Sequence, residues 1–136
     1  MLQEAPSQIG TEPIQSGLKV LVVDDNIDAA QTLAMLLREA NGCNVTVCHD
    51  GQSALKLVEN DEPGAVILDI GLPDIDGYEV ARQLRKIKPS ANTLLIALTG
   101  YGQPQDVKLA KQAGFDHHLS KPASPQAIVD LLMLRS

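Results

Sequence analysis

Aromatic side chains are scarce: the chain has Tyr78, Tyr101, Phe115 and no tryptophan, too few for a platform on which nucleic-acid bases could stack. Cysteine is scarcer still. Cys43 and Cys48 are too few for a disulfide framework, and in the apparent strand CNVTVC they face opposite ways and cannot bridge. No C-x-x-C or ligand-spaced histidine accompanies them, so they are read as strand packing and not as a zinc site. No apolar run approaches the ~18 residues of a membrane span, and the N-terminal MLQEAPSQIG lacks the basic and apolar regions of a signal peptide. Basic residues are outnumbered, 11 Lys+Arg against 17 Asp+Glu for a net charge of −6, and they do not cluster. Phosphate backbones and anionic lipid are therefore repelled. These absences predict a soluble cytoplasmic protein that binds no nucleic acid and makes no membrane contact.

What is present suits one compact domain: 136 residues, 44% of them hydrophobic. Residues 1–18 hold Pro6, Ser7, Gly10, Pro13, Ser16 and Gly17 with no apolar period, the composition of a flexible tail or linker. The folded domain is expected over 19–136. There, short β-branched runs (KVLVV, NVTVC, AVIL, TLLIAL, DHHLS) alternate with helical stretches at 27–40, 52–60, 77–87, 104–113 and 125–135. Five βα units result. Because the runs are continuous rather than alternating, their strands should be covered on both faces, as in a doubly wound parallel sheet. The polar last strand should lie at an edge. Asn26 is placed to cap the first helix and Asn41-Gly42 to stop it, Pro104 and Pro125 suit first helical turns, and Gly114 suits the residue past a helix end.

In an open parallel sheet ligands bind outside the carboxyl ends of the strands. The residues there are selective: Asp24 and Asp25 after the first run, Asp69 after the third, Thr99 after the fourth and Lys121 after the fifth. Singly, each has an ordinary explanation as a helix cap, turn former, strand residue or solvated charge. Together they share one crevice. Each pair of carboxylates at ~4 Å would repel by about 4 kcal/mol at an effective dielectric near 20, and a divalent cation relieves that. Carboxylate and carbonyl oxygens suit Mg²⁺. Lys121 adds a point charge and Thr99 a hydroxyl donor, so the set points to phosphoryl transfer onto a carboxylate.

The motifs VLVVDDN at 20–26, VILDIGLPDIDGYE at 66–79, ALTGYG at 97–102 and LSKP at 119–122 resemble, in order and spacing, the receiver domains of two-component response regulators. That resemblance implies a flavodoxin-like (βα)5 fold with strand order 2-1-3-4-5. It implies Asp69 as phospho-acceptor, Asp24 and Asp25 as the acidic pair holding Mg²⁺ (or Mn²⁺), and the Gly71 backbone carbonyl as a further ligand. Thr99 would be the switch hydroxyl and Lys121 the phosphate-pairing lysine, its bond to Pro122 cis. His118 departs from the pattern, standing where the family carries a switch aromatic. Gly71 and Tyr101 match positions that set the lifetime of the phosphoryl group. Gly71 offers no group to orient water, and Tyr101 is large enough to obstruct it, which predicts a slowly hydrolysed phospho-form.

The phosphoryl donor implied is a sensor histidine kinase or a histidine phosphotransfer protein. The output partner is not named by the sequence; the surface of helix 4, strand 5 and helix 5 is expected to switch, with a phosphorylation-dependent dimer among its outputs. IGLPDIDGYE and FDHHLSKP are similar to receiver modules of hybrid histidine kinases, and no DNA-binding domain is expected after residue 136. A Mg²⁺-dependent phosphohydrolase is the rival, but Asp24-Asp25-Asn26 lacks the D-x-D of the dehalogenase-like class, and no insertion is long enough for a cap. A nucleotide or flavin carrier would need a Gly-rich or Ser/Thr-rich loop after strand one, which VVDDNIDAA is not. His49-Asp50-Gly51 is read as turn chemistry, and His117-His118 as an edge strand whose neighbours face opposite sides.

Overall fold

The computed structural model describes residues 17–87, 92–100 and 104–135. Most of the expected tail, residues 1–16, lies outside the described residues, as does Tyr101. The elements run β1 (Lys19–Val23), α1 (Ile27–Asn41), β2 (Asn44–Cys48), α2 (Gly51–Asn60), β3 (Ala65–Asp69), α3 (Gly77–Ile87), β4 (Leu94–Thr99), α4 (Pro104–Ala113), β5 (His117–Ser120) and α5 (Pro125–Arg135). The five strands pair in parallel in the order β2-β1-β3-β4-β5. This is the doubly wound sheet expected from the continuous apolar runs, with polar β5 at an edge.

Alternation within each strand divides the core into two layers. Leu21, Val23, Val66, Leu68, Leu95 and Ala97 pack against α2, α3 and the end of α4. Val20, Val22, Ala65, Ile67, Ile96 and Leu98 pack against α1 and α5. Central β3 is buried along its whole length, and each fully buried Val, Leu or Ile contributes roughly 1.5–3 kcal/mol. Cys48 belongs to the first layer and Cys43 to the second, so the thiols are separated by the sheet. Burial pushes the Cys48 thiol up to about 11. Leu18 already packs on the second layer, and its carbonyl accepts the Asn44 N–H at 2.9 Å.

Helix ends follow local chemistry. Asn26 Oδ1 accepts the Ala29 N–H at 3.0 Å and starts α1 just after β1. Gly42 ends it with φ +67, a left-handed conformation that glycine adopts without strain, and donates to the Arg38 carbonyl at 3.0 Å. The proline-led helices begin at Pro104 and Pro125. Among the described residues no helix is long and apolar enough to cross a membrane.

Candidate functional site

Parallel strands deliver their last residues to one edge of the sheet, and here those residues are polar. Asp24, Asp69 and Thr99 are 6%, 3% and 3% exposed, at the ends of neighbouring β1, β3 and β4. Asp24, Asp25 and Asp69 each offer a carboxylate oxygen, all within 4.8 Å of one another. Lys121, on the β5–α5 loop, closes the group from the end of β5, its Nζ 2.9 Å from Asp69 Oδ2. The loop is held there by the Lys121 N–H, which donates to the Thr99 carbonyl at 2.7 Å. The Lys121-Pro122 peptide bond is cis.

The carboxylates are oriented by backbone amides. Asn26 N–H donates to Asp24 Oδ1 at 2.9 Å, and Gly71 N–H donates to Asp69 Oδ1 at 3.1 Å. Burial pushes the Asp24 carboxyl above the ordinary carboxylate range, and the neighbouring Asp69 charge pushes the same way against the Asn26 amide and Lys121. A cluster of hard oxygen donors with one member held toward its protonated form suits a divalent cation. At the end of β4, Thr99 Oγ1 is buried with no hydrogen-bond partner among the described residues. A buried, unpaired donor beside a lysine suits an incoming oxyanion.

The remaining sequence-predicted residues divide. Gly71 lies beside Asp69, and a Cβ built there would meet only Asp69 Oδ1, at 3.9 Å, so the space over the carboxylate on that side is open. His118 lies away from the acids on edge strand β5, in register with Ala97, and lines a cleft with Val107, Ala110 and Phe115. His117 pairs with Ile96, so the two imidazoles leave the strand on opposite faces.

Two residues gain roles that spacing did not reveal. His49 Nδ1 lies 2.9 Å from the Asp24 carbonyl oxygen, and because a carbonyl only accepts, Nδ1 carries the proton. Asp50, as turn chemistry suggests, caps α2 by accepting the Ser53 N–H at 2.7 Å. Asp74, a loop residue of the LPDIDG stretch, accepts from the Gly51 and Gln52 amides at 2.9 and 3.0 Å. Only an aspartate five residues past Asp69 hinted at this, and such residues usually serve their own turn.

Residues 20–133 match the family described as the response regulator receiver domain. The chain belongs to that family, a class of signalling domains in two-component systems. It is 33% identical over 85% of its length to an uncharacterized 14.6 kDa protein in the sodA1 3' region of Leptolyngbya boryana, of which it covers 87%. It is 37% identical over 81% of its length to the alkaline phosphatase synthesis transcriptional regulatory protein PhoP of Bacillus subtilis, and spans only 45% of that protein. Among solved structures, a response regulator protein from Burkholderia pseudomallei superposes with a TM-score of 0.77 at 31% identity, covering 84% of this chain and 65% of that one. That crystal structure contains a phosphorylated aspartic acid, a calcium ion and citrate.

Proposed function

We propose that this chain is a phospho-acceptor receiver domain in which Asp69 takes a phosphoryl group from a phosphohistidine on a sensor histidine kinase or a histidine phosphotransfer protein, with Mg²⁺ or Mn²⁺ bound. The observation that carries this reading is the meeting of three carboxylates within 4.8 Å beside Lys121. The phosphorylated aspartate and calcium ion of the Burkholderia relative support it. In the proposed step an Asp69 oxygen attacks phosphorus as the bond from phosphorus to the donor imidazole nitrogen breaks. The imidazole departs neutral, its other nitrogen keeping its proton, and Asp69 becomes an acyl phosphate.

Asp24, Asp25, Asp69 and the Gly71 carbonyl would hold the cation, whose chemistry is to neutralise charge on the phosphoryl oxygens. Lys121, already at the acceptor, stays beside the transferred group as its counter-charge, and the unpaired Thr99 hydroxyl donates to a phosphoryl oxygen. That bond draws Thr99 toward the site and gives the α4–β5–α5 surface, including His118, a reason to change on phosphorylation. A cleft of about 820 Å³ runs from Asp24 and Lys121 between α1 and the start of α5, lined by Leu33, Leu36, Pro122 and Ile128. It opens beside Lys121, whose Nζ lies 2.9 Å from Asp69 Oδ2.

The test is transfer from phosphorylated donor proteins to the purified chain with Mg²⁺ and with chelator. Cation-dependent label that stays on the chain is expected. Label that appears equally in chelator overturns the cation's role, and steady release of phosphate from many donor turnovers favours the phosphohydrolase. Faster transfer from the transmitter of a hybrid kinase than from separate kinases would mark the chain as a hybrid-kinase module.

A further inference from the structure

The loop between β3 and α3 is fixed at its start. Ile70 N–H donates to the Leu98 carbonyl at 3.0 Å, and the Ile70 carbonyl accepts the Gly77 N–H at 3.1 Å. The residue between these anchors and the loop's tip is Gly71, whose amide orients Asp69 Oδ1. The tip is held by a different element. Asp74 is an exposed residue, yet its two carboxylate oxygens take the first two amides of α2, Gly51 and Gln52, at 2.9 and 3.0 Å. Those groups belong to the positive end of a helix and have no intrahelical partner. The Gly51 bond, followed by the Gln52 bond, holds the Asp74 carboxyl below the usual carboxylate range. Gly51 makes the approach feasible: a Cβ there would lie 2.8 Å from Val80 Cγ2 and 3.2 Å from Ile75 Cβ.

We propose that Asp74 is a positioning residue for divalent-cation binding: by tying the β3–α3 loop to the first turn of α2, it holds the Gly71 backbone in place beside Asp69. The inference rests on the reading of Asp24, Asp25, Asp69 and Gly71 as the cation's ligands. Residues that orient ligands rather than bind typically change metal affinity by about 10- to 100-fold when removed. Asp50 supplies the control, since it caps the same helix and carries the same charge but belongs to the β2–α2 junction rather than to the loop.

The experiment is calorimetric titration of the full chain with Mg²⁺, with the Gly71 amide resonance followed by NMR in chelator. Wild-type protein is expected to bind. Asp74→Ala should weaken binding about tenfold and move the Gly71 resonance, and Asp74→Asn, which keeps one acceptor oxygen, should fall between. Asp50→Ala should lose stability while keeping its affinity within about twofold of wild type, a purely structural cap effect. An unchanged dissociation constant in either folded Asp74 variant overturns the inference, as does an equal loss in Asp50→Ala. If Asp74→Ala does not fold, Asp74→Asn alone decides it. A wild-type chain that binds no Mg²⁺ overturns the underlying reading of the acidic cluster, a result distinct from normal wild-type binding with unaltered Asp74 variants.

Discussion

Replacing Thr99 by valine should make the cation-free protein more stable, the reverse of what removing a buried hydroxyl usually does. Thr99 is 3% exposed at the end of β4, and its Oγ1 has no hydrogen-bond partner among the described residues. A buried polar group left unsatisfied costs about 1–3 kcal/mol. Valine has the same shape, a similar preference for strands, and nothing to desolvate. The backbone bond from Lys121 N–H to the Thr99 carbonyl, at 2.7 Å, is untouched. The expected gain is about 1–2 kcal/mol in chelator, or ~4–8 °C in Tm for a domain of this size. Urea unfolding measures it directly, and an unchanged m value would show that the denatured state is not responsible. The same variant should still accept phosphoryl at Asp69 but lose the phosphorylation-dependent change at the α4–β5–α5 surface. A loss of 1 kcal/mol or more in chelator would mean that the hydroxyl is bonded in the unphosphorylated protein, and the idea of a donor waiting for an oxyanion would fail.

Electrostatics and hydrogen bonding lead to two further expected outcomes. The Asp24 carboxyl is raised above 3.8 chiefly by burial, so through that window the folded state holds more protons than the unfolded one. Stability in chelator should fall as pH rises through it and stay reduced above it. Asp24→Asn, which keeps an oxygen for the Asn26 amide, should flatten that fall and raise stability at pH 7; a less stable variant would contradict the burial argument. Arg85 bonds the Gly114 carbonyl at 2.7 Å and the Thr93 carbonyl at 2.8 Å and pairs with Asp116 at 3.1 Å, joining α3 to the starts of β4 and β5. Arg85→Ala should cost about 2–4 kcal/mol by denaturant unfolding. Arg85→Lys, lacking the forked donors, should recover less than half; full recovery would show that charge alone matters.

Much of this architecture is legible because it is written in local patterns. Val20–Val23 and Val66–Leu68 are apolar on both sides, which requires a sheet covered on both faces, and Asn26 and Gly42 end their helix by chemistry confined to a few neighbouring residues. Asp24, Asp69 and Thr99 are found by looking for polar residues at the carboxyl end of each strand, since the parallel topology gathers those ends. Asp74 is not found that way. Its partners are 22 and 23 residues earlier in the chain, and no periodicity links a loop aspartate to another element's helix start. His49 is similar: spacing reads it as part of a turn, whereas its ring reaches the Asp24 carbonyl across β1 and β2. Arg85 likewise serves three backbone and side-chain acceptors from other segments. Long-range contacts of this kind are set by the packing of elements, not by the sequence around each residue.

Site-resolved mass spectrometry of the phosphorylated chain tests the central claim most directly. The purified protein is incubated with acetyl phosphate and Mg²⁺, its intact mass is read, and the modified residue is located after rapid digestion. One phosphoryl group on Asp69 is predicted, absent in chelator and absent in Asp69→Asn. A phosphoryl group on another residue of the wild-type chain, or full labelling of Asp69→Asn, would contradict the assignment of Asp69 as the acceptor.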